Sequence, residues 1–308
     1  MKILYFFLIL PLTLILGQNE KIITIQTQNC NLEGSLLLPY STQNIPIALI
    51  IAGSGPTDRN GNNPMMQNNS LKMLAYSLEE NGIASLRYDK RGIGKSVIPN
   101  FDESKLSFED YINDVKSWID FLEKDSSFNQ IIIIGHSEGS LLGMIASQNK
   151  NVDKFVSLAG AGESANKTIQ KQLANQPKEF YETSLKYLDI LEKGEMIDSM
   201  DQNYYSLFRP SIQPYLISWF KYNPQVEIAK LKIPILILQG TTDLQVKEED
   251  ANFLHNANPN SQLKIIGGMN HVLKESELDM QKNMQTYSNP ELPLKDGLID
   301  SIVEFIKK

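Results

Sequence analysis

The chain has 308 residues, of which 42% are hydrophobic, 21% are charged and one is a cysteine. The length and apolar content exclude a disordered or fibrous protein, and they suit one large α/β domain with an insertion or two modest domains. Acidic residues outnumber basic ones by 36 to 29 and no basic run occurs, so we expect no nucleic-acid partner.

Residues 1–17 have the pattern of an export signal. Lys2 supplies a positive charge, residues 3–16 are almost entirely apolar, and the small residue Gly17 precedes a polar stretch. The apolar run is too short to span a bilayer comfortably, so we expect cleavage, a periplasmic or extracellular location and no stable membrane insertion afterwards. The alternative is an uncleaved N-terminal anchor.

The next residues predict a β-hairpin. Isoleucines and threonines at 22–25 indicate one strand, and the leucines at 36–38 end a second strand, after a turn at Glu33-Gly34. We place this hairpin at the edge of a sheet. Cys30 is interpreted as a small apolar strand residue, and because it is the only cysteine it excludes an intramolecular disulfide.

From residue 45 onwards, apolar strands and amphipathic helices alternate. Strands that are apolar without a period of two are buried on both faces, as in a parallel sheet covered by helices. With right-handed crossovers, the alternation predicts an α/β fold with a mostly parallel sheet flanked by helices. The predicted strands are 45–51, 83–89, 131–134, 152–159, 233–240 and 262–266, and the predicted helices are 70–80, 107–122, 247–256 and 296–306.

Residues 163–230 interrupt this alternation. They contain no buried strand, they include a long helical stretch at 168–192, and their aromatic residues concentrate at 204–222. We interpret the segment as a helical cap over the carboxyl edge of the sheet, inserted into a core made of residues 18–162 and 231–308. The alternative is a pair of helices packed on the flank, but the segment is too long for an ordinary crossover.

The sequence Gly135-His136-Ser137-Glu138-Gly139 follows four isoleucines and precedes small and apolar residues with helical character. Gly-x-Ser-x-Gly between a strand and a helix is the pattern of a nucleophile elbow. The serine there occupies a strained turn, which requires very small residues two positions to either side. The alternative is a glycine-rich turn whose serine only caps the helix.

A nucleophilic serine needs a base, and the chain has three histidines. His136 is adjacent to Ser137 in the elbow, so its side chain is expected to point away from the serine hydroxyl. His255 lies inside a predicted helix. His271 follows a predicted strand on a glycine-containing loop, at the sheet edge where active sites of open α/β sheets collect. We therefore predict His271 as the base.

The carboxylate that orients the base should leave a later strand and lie between the serine and the histidine in the chain. Asp243 meets both conditions. The acids at 248–250 open the next helix, where negative charge is favourable without a catalytic role. Asp89 precedes the serine and is expected to hold the loop that contains Arg91.

Acyl transfer also needs hydrogen-bond donors for the oxyanion. We predict the backbone N–H of Glu138, directly after the nucleophile, and the backbone N–H of Ser54, in the tight turn Gly53-Ser54-Gly55. The glycines are also explained as simple turn residues. Asp58 and Arg59 in the same loop are expected either to contact substrate or to form an internal ion pair.

These motifs, together with the run Arg87-Tyr88-Asp89-Lys90-Arg91-Gly92-Ile93-Gly94-Lys95-Ser96, resemble the α/β-hydrolase superfamily. More narrowly, the chain is similar to bacterial serine carboxylesterases and prolyl-aminopeptidase-like hydrolases. The resemblance implies the α/β-hydrolase fold and a serine hydrolase that cleaves small-molecule esters through an acyl-enzyme intermediate, with no cofactor and no metal. Ala52 departs from many relatives, which have histidine there.

Three alternatives remain. One is an aminopeptidase or amidase that uses the same triad on a short peptide or amide. Another is an acyltransferase with an acceptor other than water. The third is a non-catalytic binding protein on a hydrolase scaffold, against which the complete set of Ser137, Asp243 and His271 argues.

Overall fold

The structure is a computed structural model that describes residues 20–27 and 30–308. The predicted export signal, residues 1–17, lies outside the described residues and stays a prediction. Among the residues described, no helix combines the length and apolar character needed to cross a membrane.

The described strands form one sheet, which confirms the predicted α/β fold. The strands are β1 (Glu20–Thr27), β2 (Cys30–Leu37), β3 (Ile45–Ile51), β4 (Ala84–Tyr88), β5 (Phe128–His136), β6 (Lys154–Leu158), β7 (Ile235–Gly240) and β8 (Gln262–Ile266). Their order is β1-β2-β4-β3-β5-β6-β7-β8. Strand β2 pairs antiparallel with β1 and β4, and the other pairs are parallel.

Helices cover both faces of this sheet. They are α1 (Ser70–Glu80), α2 (Phe108–Leu122), α3 (Glu138–Ala146), α4 (Ala165–Leu173), α5 (Lys178–Glu192), α6 (Tyr205–Phe208), α7 (Gln213–Phe220), α8 (Pro224–Ala229), α9 (Glu248–Ala257), α10 (Met280–Thr286) and α11 (Leu298–Lys307). Helix α2 begins with a reciprocal capping box formed by Ser107 and Asp110. Helix α10 was not predicted.

The four isoleucines of β5 are buried on both faces of the sheet, which explains why apolar and polar residues do not alternate there. Ile131 and Ile133 belong to the apolar core that contains α2 and α9. Ile132 and Ile134 face the opposite core, which contains α1 and α11. Because both faces are buried along residues 131–134, each of these positions favours a β-branched apolar residue. This strand, paired on both sides with β3 and β6, carries the elbow at its carboxyl end.

The hairpin at the sheet edge is present, but the turn predicted at Glu33-Gly34 is wrong. Both residues lie inside β2 and pair with β1. Tight packing favours glycine at position 34, since a Cβ there would lie 3.1 Å from the carbonyl oxygen of Arg87 and 3.2 Å from the Trp118 ring. Cys30 begins β2 and is buried, as predicted.

The segment between β6 and β7 forms helices α4 to α8, and its described residues contain no strand. The helical stretch predicted at 168–192 is in fact two helices. The break comes before Pro177, because proline disfavours helical geometry in the preceding residue. Helix α8 packs against α3 and α9. The predicted cap boundaries at 163 and 230 stay a prediction.

Candidate active site

The elbow joins β5 to α3 at Ser137, whose backbone has φ 55° and ψ −123°. This strained conformation is typical of a nucleophile elbow. A Cβ on Gly135 would lie 2.5 Å from the Cα of Ser140, and one on Gly139 would lie 2.7 Å from the carbonyl oxygen of Ala52. Glycine is therefore the only residue that lets α3 approach β5 and β3 this closely.

The structure brings the three predicted catalytic side chains together at the carboxyl ends of β5, β7 and β8. Oγ of Ser137 lies 3.1 Å from Nε2 of His271, and Nδ1 of His271 lies 2.7 Å from Oδ2 of Asp243. Because a carboxylate only accepts, Nδ1 carries the proton and donates to Asp243. Nε2 is then free to accept the hydroxyl proton of Ser137.

The Asp243 carboxylate is fixed on both oxygens. Its Oδ1 accepts the N–H groups of Gln245 at 2.7 Å and Val246 at 3.0 Å, and its Oδ2 accepts the side-chain amide of Gln239 at 3.2 Å. Burial disfavours the charged form, but His271 and the two N–H groups outweigh it, and the pKa of Asp243 is lowered. The carboxylate is therefore ionised at neutral pH.

Both predicted oxyanion donors lie beside the nucleophile. Ser54 and Glu138 line the same cavity as Ser137. Within the described part of the chain, neither backbone N–H has a hydrogen-bond acceptor. Gly53 makes the close approach possible, because a Cβ there would lie 3.1 Å from the Cβ of Ser137. The N–H of Glu138 is also at the start of α3, where the helix dipole favours negative charge.

His136 has a role that the sequence did not indicate. It is excluded as the base, but its Nε2–H donates to the backbone carbonyl oxygen of His271 at 2.8 Å. The ring therefore anchors the loop that carries the base. Burial, and secondly the nearby His271 ring, lowers the pKa of His136 to about 3. In the native protein this ring therefore stays neutral at pH values well below the ordinary pKa of histidine.

We expect His136 to make the protein acid-sensitive. As pH falls below 6.5, the unfolded chain protonates this histidine while the native protein does not, so the free energy of unfolding decreases. For His136→Gln, whose amide can still donate, the loss between pH 7 and pH 4.5 should be smaller than in the wild type by about 2 kcal/mol. Urea unfolding at the two pH values measures this, with His255→Gln as control. Equal losses in wild type and His136→Gln would contradict it.

Arg59 forms internal ion pairs, as one of the two expectations for this loop has it, but its partner is not Asp58. Arg59 is buried and forms ion pairs with Asp89 and Glu33, both at 2.7 Å. Asp58 accepts the backbone N–H of Asn60 instead. Arg59 reaches Asp89 because its loop follows β3, which pairs with β4 in the sheet, and the order of the strands in the chain does not reveal this pairing.

Two cavities meet at Ser137. The larger, of about 330 Å³, lies between the elbow and helices α4, α6 and α7. Its apolar lining includes Leu141, Ile169, Phe208, Ile212, Leu216 and Trp219. The smaller, of about 220 Å³, follows the loop after β3 and has the polar residues Asn63, Asn68, His271 and Tyr287 in its wall. Residues 20–27 and 30–308 contain no group of three side chains arranged to hold a metal ion.

Comparison with known proteins identifies the family of the chain. The family described as serine aminopeptidase S33 (Hydrolase_4) matches residues 67–278, more than half of the chain. Esterase EstD of Thermotoga maritima is 25% identical over 272 residues, which is 84% of this chain and 61% of that protein. The chain thus spans about three fifths of the length of this relative.

Solved structures of esterases share the fold. Est1E from Butyrivibrio proteoclasticus, solved with bound ferulic acid, superimposes with a TM-score of 0.60 at 18% identity, covering 92% of this chain and 96% of its own. The Pyrococcus furiosus esterase Pf2001 gives a TM-score of 0.59 at 17% identity, covering 94% and 92%. Together with the sequence match, this shows that the chain belongs to the serine aminopeptidase S33 family of α/β-hydrolases.

Proposed function

We propose that this protein hydrolyses carboxylic esters with Ser137 as the nucleophile. The observation that carries the proposal is the hydrogen-bonded chain from Asp243 through His271 to Ser137, at the floor of an apolar cavity. Such a chain activates a serine that is otherwise a poor nucleophile at neutral pH. The esterase names of the relatives support the choice of reaction.

The reaction has two steps. Oγ of Ser137 attacks the ester carbonyl carbon while its proton passes to Nε2 of His271, and the oxyanion accepts the N–H groups of Ser54 and Glu138. When this intermediate collapses, the alcohol leaves with the proton from Nε2. Water then attacks the acyl-enzyme and gives a proton to Nε2. Release of the carboxylic acid returns that proton to Ser137. Asp243 stabilises the imidazolium in both steps.

The two cavities suit the two halves of an ester. The larger one is apolar and lies under α4, α6 and α7, which suits the acyl chain. The smaller one has amide and phenol groups in its wall, which suits a more polar alcohol. A volume of about 330 Å³ is at the low end for small-molecule sites, so short and medium acyl chains should fit better than long ones. The proposed cap therefore selects the acyl group.

Charge in the larger cavity favours an ester over a peptide with a free amino terminus. Aminopeptidase action needs an acidic group to hold the amine. The carboxylates among the described residues of this cavity are Glu138 and Glu163. Glu138 is engaged by Lys90 and Tyr215, and Glu163 forms an ion pair with Lys171. Neither is free to bind an ammonium group.

A substrate panel tests this assignment. We expect p-nitrophenyl butyrate and hexanoate to be turned over with higher kcat/KM than p-nitrophenyl palmitate, and all three faster than amino-acid p-nitroanilides. A fluorophosphonate probe should label Ser137 in the folded protein. Faster turnover of the anilides would assign the chain to the aminopeptidases, and absence of labelling would exclude a serine hydrolase.

A further inference from the structure

Lys90 is a buried lysine whose ammonium group lies beneath the active-site floor. It follows β4 and is 1% exposed. Its Nζ donates a hydrogen bond to the carbonyl oxygen of Gly53, lies 3.4 Å from Oε1 of Glu138, and sits 5.2 Å from the centre of the Tyr111 ring. Lys90 does not line either of the cavities that meet at Ser137. Lys90 can therefore affect catalysis only indirectly, through the groups that it contacts.

The contact with Gly53 fixes the direction of the Ser54 N–H. The carbonyl of Gly53 and the N–H of Ser54 belong to one planar trans peptide, so they point in opposite directions. Holding the oxygen towards Lys90 turns the N–H of Ser54 away from Lys90, and Ser54 lines both cavities that meet at Ser137. A cation at the carbonyl end also polarises the peptide and strengthens its N–H as a donor.

Glu138, which supplies the other predicted oxyanion donor, also contacts Lys90 through its side chain. Its backbone N–H has no hydrogen-bond acceptor among the described residues, and its carboxylate accepts from Lys90 and, at 2.9 Å, from the hydroxyl of Tyr215 on α7. The paired charges leave the region nearly neutral. Burying such a pair is costly, and apolar residues of similar volume often stabilise a fold more. Stability alone is therefore a poor reason for a lysine at this position.

We propose that Lys90 is a positioning residue that pre-organises the oxyanion hole by holding the Gly53–Ser54 peptide, with Glu138 and Tyr215 keeping its ammonium group in place. The inference rests on the proposed function, because it concerns stabilisation of the same intermediate. It adds a residue to the site that donates no group to the substrate. Since an oxyanion exists only after attack by Ser137, the effect belongs to kcat and leaves KM nearly unchanged.

The test compares Lys90→Met with the wild type on p-nitrophenyl butyrate and on a trifluoromethyl ketone, which forms an oxyanion with the serine. Removing one oxyanion donor typically costs about 10²- to 10³-fold in kcat, so a misdirected donor should cost between about 10- and 100-fold. The Ki of the ketone should rise by the same factor as kcat falls. Titration with a fluorophosphonate counts the active molecules, and Ki does not depend on that number.

Lys154→Met is the matched control, because Lys154 is also a buried lysine that donates to main-chain carbonyls, those of Phe305 and Ile306. It should lose stability and keep the wild-type Ki.

A double variant, Lys90→Met with Glu138→Gln, leaves no unpaired buried charge. It should show the same rise in Ki if the single variant fails to fold. An unchanged Ki in the variants that fold, with an active wild type, overturns this inference alone. A wild type without ester turnover or labelling overturns the proposed function, and this inference with it.

Discussion

Replacing Ser137 by alanine should lower kcat for ester hydrolysis by at least about 10⁴-fold. The variant keeps the oxyanion donors and the cavity but has no oxygen to form the acyl-enzyme. Its fold should survive, because alanine removes only the hydroxyl that contacts His271. Initial rates with p-nitrophenyl butyrate measure the loss, and thermal unfolding shows that the protein remains folded.

The losses of kcat in Ser137→Ala and His271→Ala should not add in the double variant, which would identify the two residues as one catalytic unit. Once Ser137 is absent, His271 has no serine proton to accept. The kcat of the double variant should therefore lie within a few-fold of the kcat of either single variant. Ser147→Ala, at the other end of α3, removes a buried hydroxyl that bonds to Gly143 and should leave kcat unchanged. Ester turnover that persists in folded Ser137→Ala would contradict the assignment of the nucleophile.

Local patterns were sufficient to predict the sheet and the elbow. The predicted ranges 70–80 and 262–266 agree with α1 and β8, because continuous apolar runs and helical spacing depend on neighbouring residues only. The prediction of a triad rests on chain order and on the position of each residue at a strand's carboxyl end. The structure then places Ser137, His271 and Asp243 within hydrogen-bonding distance.

Contacts between distant segments account for what the sequence missed. Lys90, Glu138 and Tyr215 come from a strand end, the elbow and α7, and no local period brings them together. The same holds for His136, whose partner is 135 positions away. The sequence predicts a turn at Gly34 because glycine is typical of turns, whereas the packing of Trp118 against this position is not visible in the sequence.

The hydrogen bonds around Asp243 make its replacement by asparagine especially informative. Oδ1 accepts two backbone N–H groups, so an asparagine must place its carbonyl oxygen there. The amide NH₂ then occupies the position of Oδ2 and faces Nδ1 of His271 as a donor. His271 responds by accepting at Nδ1 and carrying its proton on Nε2, towards Ser137. In that tautomer it is unable to take the serine proton.

We therefore expect Asp243→Asn to lower kcat by about 10⁴-fold while KM changes little, because the defect is in proton transfer and not in the cavity. Asp250→Asn is the matched control: Asp250 is buried and accepts the N–H groups of Gly162 and Lys247, but it does not contact His271. That variant should lose stability and keep most of its kcat. Equal losses of kcat in the two variants would mean that a buried carboxylate in this region acts through stability alone. A loss confined to Asp243→Asn would show that Asp243 sets the orientation and the tautomer of His271.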